Sequence, residues 1–280
     1  MQNPEEVQRA AMYISEHAPG AFRPELALVC GTGFGKLADM FRCVRSIPFE
    51  NSPGFPRATV ASHAGSFAAA YFGEKAVLLQ QGRCHLYEGY SPAQVCMGVR
   101  VAYTLGARSL VIANAAGSLN PQWSAGDVML ITDHLNCTGT SPLVGPNHDP
   151  WGPRFPDMSR LYDREYQRLA LDAARTSGVR LERGVYAGVL GPELENPAQT
   201  RMYRQAGADA IGMSTVLEVI AARHLGMRVL AFSCLSNANL PDCMEETSLE
   251  EIIATVRASS ETVIRLLGVL LPRILHEDSA

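Results

Sequence analysis

Short runs that are apolar at every position set the strongest limit on how this chain can fold. Leu26-Ala27-Leu28-Val29-Cys30, Ala76-Val77-Leu78-Leu79 and Val111-Ile112-Ala113 offer no polar residue to water. A strand without alternation is buried on both faces, and such strands belong to sheets covered by helices on either side. Helical stretches alternate with strand-like ones along the chain. Glu5 to His17 reads as an amphipathic helix, Pro92 to Leu105 as a helix with proline in its first turn, and Leu161 to Thr176, Thr215 to His224 and Ser248 to Leu271 as further helices. Phe67–Phe72 and Ala76–Gln80 read as a hairpin across Gly73-Glu74. Ser109–Asn114, Asp127–Thr132, Val185–Leu190, Ala208–Met213 and Val229–Leu235 read as strands. The expected fold class is α/β, with a central mixed, largely parallel β-sheet flanked by helices on both faces. No linker divides the chain, so residues 1–280 are expected to form one domain.

Composition removes several classes of function. A formal charge of −4 gives no electrostatic case for nucleic acid or an anionic membrane. The longest apolar stretch, Val263 to Leu275, is interrupted by Arg265, Gly268, Pro272 and Arg273, and the N-terminus lacks the basic-then-apolar form of a signal peptide. Seven cysteines without a C-x-x-C pair, Cys30 and Cys234 among them in apolar runs, suit reduced thiols and a cytoplasmic location. The histidines, including His63, His85, His134, His148 and His224, show no metal-ligand spacing, so no metal is assigned.

In a doubly covered sheet, ligands sit at the carboxyl ends of the strands. Those ends carry a consistent set of groups. Gly31-Thr32-Gly33-Phe34-Gly35 follows the first apolar run and can turn backbone amides toward an anion; Lys36 stands where a dinucleotide fingerprint would need its third glycine. Gln80 to Gly89 holds Arg83, His85 and Tyr87 at one side-chain parity: a guanidinium fork for an oxyanion, a tunable donor and a ring for a sugar. Ser62-His63-Ala64-Gly65, Asn114-Ala115-Ala116-Gly117, Glu193-Leu194-Glu195, Gly212-Met213-Ser214-Thr215 and Ser236-Asn237 complete the set. Each has a plainer account. Ser214 and Thr215 read alone as helix caps, Asn114 as a turn former, Met213 as core, and Glu193 or Glu195 as a solvated loop charge. His224 can simply complement a helix C-terminus, and His134 reads as a structural histidine.

Taken in order from Leu26 to Asn237, these segments resemble the trimeric purine nucleoside phosphorylase family, together with Phe55-Pro56, Asp133-His134-Leu135-Asn136, Arg154-Phe155-Pro156, Gly207-Ala208-Asp209-Ala210 and Ala222-Arg223-His224. The resemblance implies a phosphate site of Thr32, His63, Arg83, His85, the Ala115 amide and Ser214. It implies ribose contacts at Tyr87 and Met213, with Leu249 at the 5′ end. It implies purine contacts at Leu194, Glu195 and Asn237, with Phe155 lent by a neighbouring subunit of a homotrimer. Asn237, Glu195 and His85 would carry the catalysis, with inorganic phosphate as co-substrate and no cofactor. An ionised Glu195 accepts from N1–H of a 6-oxopurine and would repel the N1 lone pair of adenine, which favours inosine and guanosine.

Three positions depart from that pattern. Leu194 stands where a phenylalanine is usual, Glu193 where a small polar residue is usual, and Leu249 where a histidine would bond the nucleoside 5′-hydroxyl. Leu249 opens the alternative of a 5′-methylthionucleoside phosphorylase. A water-using nucleosidase conflicts with the full phosphate set, and a non-catalytic purine-binding protein would be told apart by the absence of phosphate-dependent turnover.

Overall fold

The computed structural model describes residues 3–60 and 63–277, so Ser62 lies outside the described residues. Helix α1 (Pro4–His17) is capped by Asn3, whose side chain accepts from the Glu5 amide at 3.0 Å. Strands β1 (Leu26–Cys30), β2 (Arg42–Pro48), β3 (Ser66–Phe72) and β4 (Lys75–Gln81) follow. Next come helices α2 (Pro92–Val95) and α3 (Met97–Leu105), then β5 (Ser109–Ser118), β6 (Val128–Asn136) and α4 (Arg164–Ser177). The chain continues through β7 (Glu182–Gly188), α5 (Pro197–Gln205), β8 (Ala210–Gly212), α6 (Val216–His224), β9 (Arg228–Ala238) and α7 (Leu249–Glu277). The helix expected over Pro92–Leu105 is broken at Cys96, whose φ of −89° and ψ of 2° leave the helical region. Two elements carry little sequence signal. β2 buries only Ile47 and α5 only Thr200, so neither shows an apolar stripe.

The sheet order is β2-β3-β4-β1-β5-β8-β7-β6-β9, and β9 pairs back onto β5, closing the second half into a ring. β4, β1, β5 and β9 run parallel, as do β6, β7 and β8; the β2–β3–β4 meander and the β5–β8 and β6–β9 pairs are antiparallel. Both faces are covered. Ala27 and Val29 join the cluster under α1, α3 and α6, while Leu26, Leu28 and Cys30 join the cluster under α4 and α7. Residues of opposite parity thus lie in opposite layers, which is why the run needs no polar side. Among the described residues no helix is long and apolar enough to cross a membrane. All seven cysteines are free, and Cys30, Cys84, Cys96 and Cys234 are buried.

The ring creates a split that matters for function. β1 accompanies β5 as far as Ala113, where Cys30 is its partner, and β8 joins the same edge only from Gly117. Between them, Asn114, Ala115 and Ala116 have no strand neighbour on that edge among the described residues. Unpaired backbone groups at the carboxyl end of a parallel strand are available to a ligand.

Candidate active site

A pocket opens at this split. Thr32, Arg83, His85, Tyr87, Ala115, Leu194, Glu195, Met213, Ser214 and Asn237, all singled out from sequence, line it together. Arg83, His85 and Tyr87 do not reach it by strand alternation. β4 ends at Gln81, Gly82 turns the chain at a φ of 104°, and a short 3-10 turn over Leu86–Glu88 carries Tyr87 in. A Cβ added at Gly82 would come within 2.7 Å of His63 Cβ and 3.0 Å of its ring, so glycine is required on steric and conformational grounds alike.

One end of the pocket is built to donate hydrogen bonds. Arg83 is 1% exposed. Its Nη1 donates to Glu218 Oε2 at 2.9 Å and Thr215 Oγ1 at 3.2 Å, and its Nη2 donates to the Ala113 carbonyl at 2.8 Å. Two of its five N–H groups stay unspent, one of them on the buried Nε that has no partner among the described residues. Thr215 Oγ1 also accepts from Asn114 Nδ2 at 2.7 Å, and Asn114 Oδ1 accepts from Ser233 Oγ at 2.7 Å. With both lone pairs taken, the Thr215 hydroxyl must give its proton to Ser214 Oγ, 3.1 Å away. That frees the Ser214 O–H to donate to a ligand.

Thr215 sits at φ 71°, ψ −52°, and the Val216 amide donates to the Ser214 carbonyl at 2.7 Å across it. This is the rarer sense of γ-turn, for which a β-branched residue is poorly suited, at a cost of about 1–3 kcal/mol. Arg83 and Asn114 hold its hydroxyl, and Glu218 accepts its amide at 3.1 Å.

His63 stands one step behind the pocket wall, with Nε2 3.1 Å from Thr32 Oγ1. Burial, with His85 and Arg83 nearby, lowers its pKa to about 4, so its ring is neutral at pH 7. Its Nδ1 lies 3.1 Å from the Arg83 amide and 3.0 Å from the Arg83 carbonyl, so either tautomer is satisfied. With the proton on Nε2 the ring donates to Thr32 and frees the threonine hydroxyl for an anion. His85 is oriented by Glu88, whose Oε1 is 2.9 Å from its Nδ1 and accepts its amide at 2.6 Å. Burial pushes the Glu88 carboxyl up, but hydrogen bonds from His85 and Thr59 outweigh it and hold the pKa at about 2. The His85 ring stacks on Tyr87 at 4.7 Å.

The opposite end presents amides and a carboxylate. Glu195 Oε2 accepts from Asn239 Nδ2 at 2.9 Å, Asn239 Oδ1 accepts from Asn237 Nδ2 at 2.6 Å, and Asn237 Oδ1 accepts from Ser236 Oγ at 2.8 Å. Burial raises the Glu195 pKa, opposed by the Asn239 hydrogen bond. Asn239 lines the pocket and escapes the sequence because it is a lone asparagine in a loop, two positions beyond one that a motif marks.

Several named residues lie elsewhere. Leu249 is 58% exposed at the start of α7 and does not line the pocket; Ile252, on the next turn, does. Glu251 accepts from the Ser248 amide at 2.9 Å and serves the helix start. Phe155 is 89% exposed, whereas Trp151 in the same loop is buried under the Arg100 guanidinium at 5.0 Å. Glu193 is exposed beside an adjoining cleft shared with Cys137, Gln199 and Tyr203. His224 bonds the Pro153 carbonyl at 3.0 Å and His134 the Tyr162 hydroxyl at 2.9 Å, both structural contacts away from the pocket. Among the described residues no group of His, Cys, Asp and Glu has metal-binding geometry.

Comparison with known proteins identifies the family. The family model of the phosphorylase superfamily matches residues 25–271. Purine nucleoside phosphorylase 1 of Bacillus subtilis (strain 168) is 46% identical over 83% of this chain and 85% of its own length. The purine nucleoside phosphorylase of Mus musculus is 38% identical over 98% and 96%. The solved structure of isoform 2 of purine nucleoside phosphorylase from Schistosoma mansoni, in complex with cytosine and ribose-1-phosphate, aligns with a TM-score of 0.91 at 37% identity over 97% of both chains. A schistosoma purine nucleoside phosphorylase in complex with hypoxanthine gives 0.88 at 34% identity, over 96% of this chain and 97% of that one. The chain belongs to the phosphorylase superfamily and, within it, to the purine nucleoside phosphorylases, which are pentosyltransferases.

Proposed function

We propose that this pentosyltransferase cleaves 6-oxopurine nucleosides such as inosine and guanosine with inorganic phosphate, yielding the free base and pentose 1-phosphate. The observation that carries it is one pocket with spare donors of Arg83, Ser214 and Thr32 at one end and Glu195 with Asn237 at the other. Phosphate would bind at the donor end, to Thr32, Arg83, His85, the Ala115 amide and Ser214, with His63 acting through Thr32. The pentose would lie against Tyr87 and Met213, and the purine against Leu194, Glu195 and Asn237. A phosphate oxygen bonds C1′ as the C1′–N9 bond breaks; the bond pair leaves on the base, which takes a proton from solvent. The dianion faces the positive charge that builds on the sugar, and the Asn237 N–H faces the negative charge that builds on the purine. No cofactor enters these steps.

Residues 1–280 would act as one domain within a homotrimer, and a reducing, cytoplasmic setting suits the free thiols. The trimer is supported by Phe155, bare at the tip of a loop whose body is fastened by Arg100 and Trp151, as a residue offered to a neighbouring site would be. A second reading, a 5′-methylthionucleoside phosphorylase, is favoured by the apolar Ile252 in the pocket.

The test is turnover of inosine, guanosine, adenosine and 5′-methylthioinosine with and without phosphate, for wild type and Arg83→Ala. Phosphate-dependent release of hypoxanthine that Arg83→Ala loses at limiting phosphate is expected. Equal release without phosphate, or none from any substrate, would overturn the assignment.

A further inference from the structure

We propose that Asn239 is a positioning residue that ties the carboxylate of Glu195 to the orientation of the Asn237 amide, and that this tie makes the pocket select 6-oxopurines over 6-aminopurines. The inference rests on the functional reading above and deepens it at the base end.

An ionised carboxylate can only accept hydrogen bonds. Asn239 must therefore turn its Nδ2 to Glu195 Oε2, 2.9 Å away. Its Oδ1 then faces the other way and needs a donor, which Asn237 Nδ2 supplies at 2.6 Å. Asn237 Oδ1 in turn faces Ser236 Oγ at 2.8 Å, a hydroxyl able to donate. The direction of every bond in this row follows from the charge at its end. Each asparagine would otherwise be free to swap its oxygen and nitrogen at little cost. What remains on the Asn237 nitrogen is one N–H. A base edge that offers acceptors there, such as N7 and O6, is satisfied, whereas an exocyclic amine sets donor against donor.

Asn239 is held where this row needs it. It is 7% exposed, and its amide donates to the Ser118 carbonyl at 2.8 Å. Its side chain lies directly over the β5 backbone: a Cβ added at Gly117 would come within 2.7 Å of Asn239 Nδ2 and 3.5 Å of Asn237 Nδ2. Glycine at 117 is what admits the pair. Glu195 also faces Glu193 and Tyr203, the former raising its pKa alongside burial, while the hydrogen bond from Asn239 lowers it. Loss of Asn239 therefore removes an influence that keeps Glu195 ionised.

The experiment is calorimetric titration of wild type, Asn239→Ala and Asn239→Asp with hypoxanthine and with adenine, between about pH 5 and 8. Binding that needs ionised Glu195 is present above its pKa and fades as pH falls through it. Asn239→Ala should lower the hypoxanthine-to-adenine affinity ratio roughly tenfold, about 1.4 kcal/mol, and move the acid limb of hypoxanthine binding to higher pH. Asn239→Asp, nearly isosteric, keeps an acceptor for Asn237 but sets a like charge against Glu195, and should move that limb further up. If both variants keep the wild-type ratio and limb, or weaken both bases equally with the limb unmoved, the proposal is wrong. Lost selectivity in the variants upholds it even if wild type fails to cleave inosine, which would sink the functional reading alone. A wild type that cleaves inosine, with variants that stay selective, does the reverse.

Discussion

Glu218 contacts no proposed substrate atom, yet replacing it should be among the most damaging single changes in the molecule. Its side chain and that of Arg83 are 1% and 2% exposed, and their closest atoms are 2.9 Å apart. Glu218→Gln keeps the shape and removes the charge, which leaves the buried guanidinium of Arg83 without a counterion. Breaking one partner of such a pair costs about 3–5 kcal/mol, most of it the uncompensated charge. The same substitution disturbs the acceptor of the Thr215 amide, which helps hold that residue in its strained turn. With an unfolding entropy of about 2.1 cal/mol/K per residue, the loss amounts to roughly 5–9 °C in Tm for a chain of 280 residues. Phosphate supplies the test of mechanism. If the anion binds against Arg83, it replaces the missing negative charge and should raise the Tm of Glu218→Gln more than that of wild type, whereas chloride at matched ionic strength should not. Differential scanning calorimetry in both salts measures this. A loss below about 1 kcal/mol, or equal phosphate increments for the two proteins, would refute the picture of Arg83 as a cation balanced between Glu218 and phosphate.

Other consequences are open to measurement. Light scattering should give three chains per particle, and Phe155→Ala should weaken nucleoside binding without changing the Tm of the fold, since the ring touches little of its own chain; a monomer with full activity would exclude a shared site. Ile252→Asn should lower the relative efficiency on 5′-methylthioinosine against inosine, roughly tenfold if the 5′ group rests there, while Leu249→Asn should leave the ratio unchanged because Leu249 faces solvent. Burial holds His134 at about 4, below the roughly 6.5 of an unfolded chain, so the unfolded state takes the proton first and stability falls as pH drops from about 6.5 toward 4. His134→Gln should flatten that decline in urea titrations by on the order of 2–3 kcal/mol, and an unchanged pH profile would show that the ring is protonated without penalty in the fold.

The parts of the fold that sequence makes legible are those in which a residue's own chemistry decides its place. Leu26 to Cys30 cannot face water on either side, so a doubly covered strand follows from composition alone. The strand-end loops follow from glycine and small polar residues, and most of the site residues they carry meet in one pocket. What stays hidden depends on pairing. β2 is an edge strand with little apolar signal, α5 is held by the Asn196 capping box rather than by a stripe, and the closure of β9 onto β5 is a long-range choice that no local pattern records. Leu249 and Ile252 are separated by about one helical turn, and only the rotation of α7 against the sheet decides which of them the pocket receives.

The same distinction runs through the site. At each end a buried or half-buried carboxylate anchors a row of hydrogen-bonding groups: Glu218 through the Arg83 guanidinium and Thr215 to Ser214, and Glu195 through Asn239 to Asn237. A hydroxyl or an amide can donate or accept, so alone it has no direction, whereas the Glu195 carboxylate only accepts and the Arg83 guanidinium only donates, and each passes its direction along its row. The last members of each row, Ser214 and Asn237, are left with an N–H or O–H toward the pocket. One end therefore suits a phosphate dianion, and the other suits a purine that gathers charge as it leaves. Motifs mark the last members, and Glu195 with them, because they sit at or just beyond the carboxyl ends of strands. The carboxylates and the intermediate asparagine come from a helix, a separate loop and a position beyond the motif, and only the folded chain brings them into line.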